Sequence, residues 1–282
     1  MLTMVMEYLL TVKENPKHLL LSGFLYSTIA ILISSSIFPR SPSMVVVAFM
    51  TIPCIFIFTQ YFKDLRIKEL HSKSNWDIFK LNFKLAENYI FLFLGMSLGV
   101  AVWFSILPQE MLSNIFAEQI WNLEQPGRAT NLATGSAVSG DLLHQIAYNN
   151  IRLVLLCCIM SFVFGAGSLF ILSWNASIIG VAVGSIIFRL KTAGTEFAFF
   201  SGLGMGISYF ALHLIPEVIA YFYGAIAGAF ISAAVMKYQP FSKESNQLLK
   251  IAAGLFGVAV MFILIGSFIE VFISYNIQHF FR

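Results

Sequence analysis

Charge is what this sequence has least of. Only 11% of its 282 residues are Asp, Glu, Lys or Arg, against roughly 25% in a soluble globular domain, so most of its surface is not built for water. The net charge of +3 is no nucleic-acid signature, because the basic residues cluster beside apolar runs rather than forming a separate basic face. Cysteine is scarce as well. Cys54, Cys157 and Cys158 all fall inside apolar runs, which argues against a disulfide framework, and no Cys/His spacing fits a metal site. There is no H-E-x-x-H, and none of His18, His71, His144 and His279 stands at metal-ligand spacing from His213. No metal, cofactor, nucleic-acid partner or catalytic constellation is therefore expected. Strands of alternating polarity are missing too, which excludes a transmembrane barrel.

Apolar sequence is what remains. Hydrophobic residues make up 58% of the chain, mean hydropathy is +0.81, and several runs of roughly 19 or more apolar residues can each cross ~30 Å of hydrocarbon. The class is all-α: a polytopic helical membrane protein. Spans are expected at about 19–37, 44–62, 88–107, 151–173, 175–190, 216–236 and 251–273. The first, followed within a few residues by the second, reads as a hairpin rather than a cleaved leader. The apolar stretch from Phe197 to Met236 is too long for one crossing, about 60 Å as a single helix. It is expected to break at "LHLIP", leaving 197–211 as a re-entrant half-helix and Pro216 at the first position of the next span. An eighth full span is the alternative. Lys63, Arg66, Lys68, Lys73, Lys80 and Lys84 place the loop 63–87 and the N-terminus in the cytoplasm, and the polar region 108–150 outside; Arg189 and Lys191 weakly oppose this. Residues 1–87 read as an accessory hairpin with a basic cytoplasmic loop, and 88–282 as the core.

Polar residues within the apolar runs are the functional candidates. His213 and Glu217 are four apart around Pro216. With Pro216 at a helix start, Glu217 falls in the first turn, where the helix dipole favours a negative charge. Twenty residues separate it from Lys237, about 30 Å of helix, which places Glu217 near the outer interface. "NNIR", Asn149 to Arg152, opens a span and reads either as an interfacial cap with a snorkelling arginine or as a polar cluster with a carboxylate partner on another segment. Asn175 in "ILSWNASIIG" reads as a cap at a membrane turn in preference to an interhelical donor. Glu270, near the outer end of the last span, is at a depth to pair with Arg152. Four glycine pairs have G-x-x-x-G spacing: Gly95/Gly99, Gly180/Gly184, Gly202/Gly206 and Gly224/Gly228. They indicate either a closely packed core or a self-associating surface.

Two blocks, "NNIRLVLLCCIMSFVFGAGSLFILSWNASIIGVAVG" and "ALHLIPEVIAYFYGAIAGAFIS", in this order after one span and an external polar region, resemble the stage II sporulation protein M family. The resemblance covers about 88–282; residues 1–62 resemble the longer archaeal-type members rather than the five-span bacterial form. It makes Asn149, Asn150, Arg152, Gly165, Asn175, His213 and Glu217 the motif positions and assigns them no reaction. It implies a non-enzymatic, multi-pass scaffold of the cell membrane, in contact with the bilayer and, through self-association or envelope proteins, with partners. A transporter or permease subunit is the alternative. An intramembrane hydrolase is a third reading, and it requires His213, Glu217 and Arg152 to converge.

Overall fold

The structure, a computed structural model, describes residues 16–71, 75–124, 139–164 and 167–274. Every regular element among them is helical: α1 (Pro16–Ile37), α2 (Pro42–His71), α3 (Asn75–Ile106), two short helices α4 (Gln109–Ile115) and α5 (Ala117–Glu124), α6 (Ser139–Phe164), α7 (Ser168–Thr192), α8 (Ala198–Lys237) and α9 (Lys243–Ile269), which runs on into a π turn, Glu270–Ser274. Six described stretches are long and apolar enough to cross a membrane, one each in α1, α3, α6, α7, the second part of α8, and α9 with its π turn. Shorter apolar stretches lie at Pro42–Phe56 in α2 and Ala198–Ser208 in α8. This is the all-α polytopic architecture that the composition predicts. Large side chains such as Ile159, Leu264 and Phe268 are more than half exposed on its outside, as helices solvated by lipid require.

Close helix contacts fix the directions. Gly95 and Gly99 of α3 meet Leu20 and Phe24 of α1, and Gly180 and Gly184 of α7 meet Ser97 and Ala101 of α3, so α1, α3 and α7 run parallel. Gly224 and Gly228 of α8 meet Val154 and Cys158 of α6, so these two are also parallel. Against α7, α8 runs the other way, with Gly202 on Ile187 and Gly206 on Val183. Likewise α9 returns along α8, with Ser245 bonded to the Ala234 carbonyl at one end and Gly266 against His213 at the other. Ser43 of α2 bonds to α5 while Phe58 meets Tyr89 of α3 edge to face, so α2 descends where α3 rises. The seven long helices thus alternate in direction along the chain, as consecutive membrane crossings do.

Three expectations are corrected. The expected fifth span starts at Ser168 rather than near Asn175, so α7 is a full 25 residues, about 37 Å. Asn175 is therefore inside α7 and caps nothing; its amide donates to the Ile171 carbonyl one turn back, at 2.7 Å. Nor does the chain break at "LHLIP". Helix α8 is continuous for 40 residues with Pro216 inside it, so 197–211 is no separate half-helix and Glu217 is in no first turn. The reason is the solvent. A break would strand up to four N–H and four C=O groups in hydrocarbon, at several kcal/mol each. Proline inside a helix removes a single bond, at about 3 kcal/mol.

The segment that does turn back into the bundle is α4–α5, inside the region expected to be wholly external. Leu112, Ile115, Phe116 and Gln119 are buried and fall at helical spacing on one stripe. Phe116 stacks on Phe104 of α3 at 5.5 Å. Ser43 donates to Gln119 Oε1 at 2.7 Å, and Gln119 Nε2 donates to Ser177 Oγ at 3.1 Å. Ser177 is nine residues into α7, about 13 Å from its start, so α5 reaches well down between α2 and α7. The rest of the polar region, 125–138, lies outside the described residues.

Candidate functional site

Residues His213, Glu217 and Tyr221 recur at i, i+4 and i+8 on α8 and so share one face. All three are buried. Helix α6 crosses that face at Asn150, which is 7% exposed. Its amide nitrogen donates to Glu217 Oε1 at 2.7 Å, and its amide oxygen accepts from the Tyr221 hydroxyl at 2.6 Å. One side chain of α6 thereby bridges two turns of α8. On the third side α9 closes over the pair: a Cβ on Gly266 would lie 3.0 Å from Glu217 Cγ and 3.2 Å from the His213 carbonyl oxygen. A side chain at 266 would require its neighbours to give by a few tenths of an ångström.

Asn150, Glu217 and Tyr221 therefore fulfil one expectation of the "NNIR" motif: a polar cluster with a carboxylate from another segment. The motif divides, however. Asn149 and Arg152 are exposed, on the side of α6 turned away from Glu217, and the Arg152 guanidinium lies 5.7 Å from the centre of the Tyr148 ring. Arg152 does not converge with His213 and Glu217, so the three-residue cluster of the hydrolase reading is not formed. Glu270 opens the π turn that ends α9. Gly165 lies outside the described residues. Among the described residues no three His, Cys, Asp or Glu side chains gather to hold a metal.

The glycine pairs settle between their two readings. Gly95/Gly99 seat α1, Gly180/Gly184 seat α3, Gly202/Gly206 seat α7 and Gly224/Gly228 seat α6. Each of these four pairs is occupied by a helix of the same chain, so they build the core. Gly228 is the tightest of the α8 positions, directly against the Cys158 carbonyl, three turns from Glu217.

Two participants were not singled out by motif reading. Tyr221 stands four residues after Glu217 on the same helical face, and that spacing is a usable signal once α8 is known to be unbroken. Gln119 lies on the apolar stripe Leu112, Ile115, Phe116, a helical period masked by the polar average of its surroundings.

Energetically the Asn150 bridge ties helices. Side-chain hydrogen bonds between membrane helices average about 0.6 kcal/mol with a maximum near 1.7, but removing one partner also leaves a buried polar group unpaired, at about 1–3 kcal/mol. The bridge contributes more to the register of α6 on α8 than to gross stability. A family model described as "Stage II sporulation protein M" matches residues 89–275. No curated protein and no solved structure matches the chain.

Proposed function

The chain belongs to the stage II sporulation protein M family, and from that premise we propose that it is a non-enzymatic, multi-pass scaffold of the cell membrane that organises partner proteins. The observation that carries this reading is the use made of the motif side chains turned inward. Asn150, Glu217 and Tyr221 are engaged with one another in a bridge between α6 and α8, and Gly266 closes α9 over His213 and Glu217. Such an arrangement holds a frame in one shape and leaves its outer faces for partners in the membrane or envelope. In-cell crosslinking followed by purification in a mild detergent tests it. A defined set of envelope or membrane proteins is expected to copurify in fixed ratio; a strictly monomeric protein that captures no protein at native expression overturns it.

Transport is the second reading, and one observation favours it: His213 and Glu217 are ionisable groups buried within a membrane-length helix, and such groups commonly mark ion or proton pathways. Proteoliposomes loaded with a pH-sensitive dye decide the matter. Proton flux that Glu217→Gln abolishes supports transport, whereas flux equal to empty vesicles removes it.

A further inference from the structure

We infer that the outward face of α6, from His144 to Arg152, docks a membrane-spanning helix of a partner protein that carries an acidic side chain. The inference rests on the scaffold reading and specifies the partner. Helix α6 is peripheral: Asn150 turns in, while His144, Tyr148, Asn149 and Arg152 are exposed on the opposite side. His144 and Tyr148 stack with their rings 6.2 Å apart and within 8° of parallel, and the Arg152 guanidinium lies over the same Tyr148 ring. This makes a ladder of polar groups two turns long, about 12 Å. Below it the face becomes apolar, through Leu155, Leu156, Ile159 and Val163, all more than two-fifths exposed.

Position decides the occupant. The stretch of α6 long and apolar enough to cross a membrane is Leu142–Val163, and Arg152 stands ten residues along it, about 15 Å. A cation on an outer face at that depth faces hydrocarbon, and intramembrane charges are ordinarily paired or turned to a protein interior. A lipid phosphate resides at the headgroup level and would have to descend to reach even Tyr148; Asn149, an amide donor and acceptor beside the arginine, has nothing to bond in acyl chains. A second copy on a two-fold axis would set Arg152 against Arg152. A carboxylate on a neighbouring helix matches the guanidinium in charge and shape, its remaining apolar residues matching the Leu155–Val163 face.

The test places a photocrosslinking amino acid at Leu156, one turn below Arg152, and separately at the exposed Trp121 on α5, in full-length protein in its native cells. The Leu156 adduct should map to a membrane-spanning peptide containing Asp or Glu. Arg152→Asp should lower its yield at least ten-fold, Arg152→Gln should lower it as well, and replacing the partner's acidic residue by Arg should restore capture to Arg152→Asp. Capture indifferent to both substitutions, a peptide without an acidic residue, a second copy of this chain, or lipid adducts alone overturn the proposal. Partners captured from Trp121 but not from Leu156 sink the docking face and leave the scaffold reading standing; capture from neither position sinks both.

Discussion

One chemical change, glycine to alanine, is expected to act with opposite sign at two places in this molecule. At Gly228 a Cβ would meet the Cys158 carbonyl group of α6, with the carbonyl carbon 2.8 Å away and the carbonyl oxygen nearer still. Ordinary contact begins near 3.4 Å, so α6 must retreat by at least 0.6 Å, and the obstacle is backbone that cannot rotate aside. Overfilling costs about 1–3 kcal/mol, and against backbone this close the upper part of that range, about 2–3 kcal/mol, applies. The better helix propensity of alanine returns at most about 1 kcal/mol. At Gly254 and Gly257 of α9 nothing lies within 4 Å of an added Cβ, so only the propensity gain remains. Gly228→Ala should therefore lower stability by about 1–2 kcal/mol, while Gly254→Ala should leave it unchanged or raise it by up to about 1 kcal/mol. At about 2–4 °C per kcal/mol, Tm should fall by about 2–8 °C for the first and not fall for the second. Thermal unfolding in bicelles, read by a thiol-reactive dye, is well matched to the question, because buried Cys157 and half-buried Cys158 are on α6 at this seam. If Gly228→Ala melts at or above the wild-type temperature, or Gly254→Ala falls as far as Gly228→Ala, the close α6–α8 approach is wrong.

Further expectations concern the polar ties, the proline and the orientation. Asn150→Ala should destabilise by about 1–3 kcal/mol, and a double-mutant cycle of Asn150→Ala with Tyr221→Phe should show coupling up to about 1.7 kcal/mol; additive effects would deny the bridge. Gln119→Leu, which removes bonds to both Ser43 and Ser177, should cost about 1–2 kcal/mol and increase protease cleavage of α4–α5, whereas unchanged cleavage would place α5 outside the bundle. Pro216→Ala should preserve the fold and yield a slowly exchanging amide at 216; an amide that exchanges at the open-loop rate would mean that α8 is broken. In a cysteine-free background, Gly194→Cys should label from outside intact cells and Gln239→Cys only after permeabilisation; the reverse pattern would invert the proposed orientation.

Some positions were legible from spacing alone. The glycine pairs were, since four residues is a helical period whatever the neighbour; a carboxylate partner for "NNIR" was one of two readings that the sequence left open. The neighbours themselves were not: nothing local says that Gly228 meets Cys158, or that Asn150 turns in while Arg152, two residues on, turns out. Pro216 misled because its rule comes from water, where solvent satisfies the groups that a break exposes.

Composition by itself determined the class. With charges at 11% and apolar runs of membrane length that lack the alternation of a barrel, a bundle of lipid-solvated helices is the arrangement that satisfies the backbone, and that conclusion needs no coordinates. Where helices begin and end was decided by tertiary structure, because a proline, an asparagine or a glycine is a stop signal only if its surroundings satisfy what the stop leaves bare. The pairing of Asn150 with Glu217 and Tyr221 was decided there too. Those side chains are 67 and 71 residues from Asn150 along the chain, and only the seating of α8's glycines on α6 brings them within hydrogen-bonding distance.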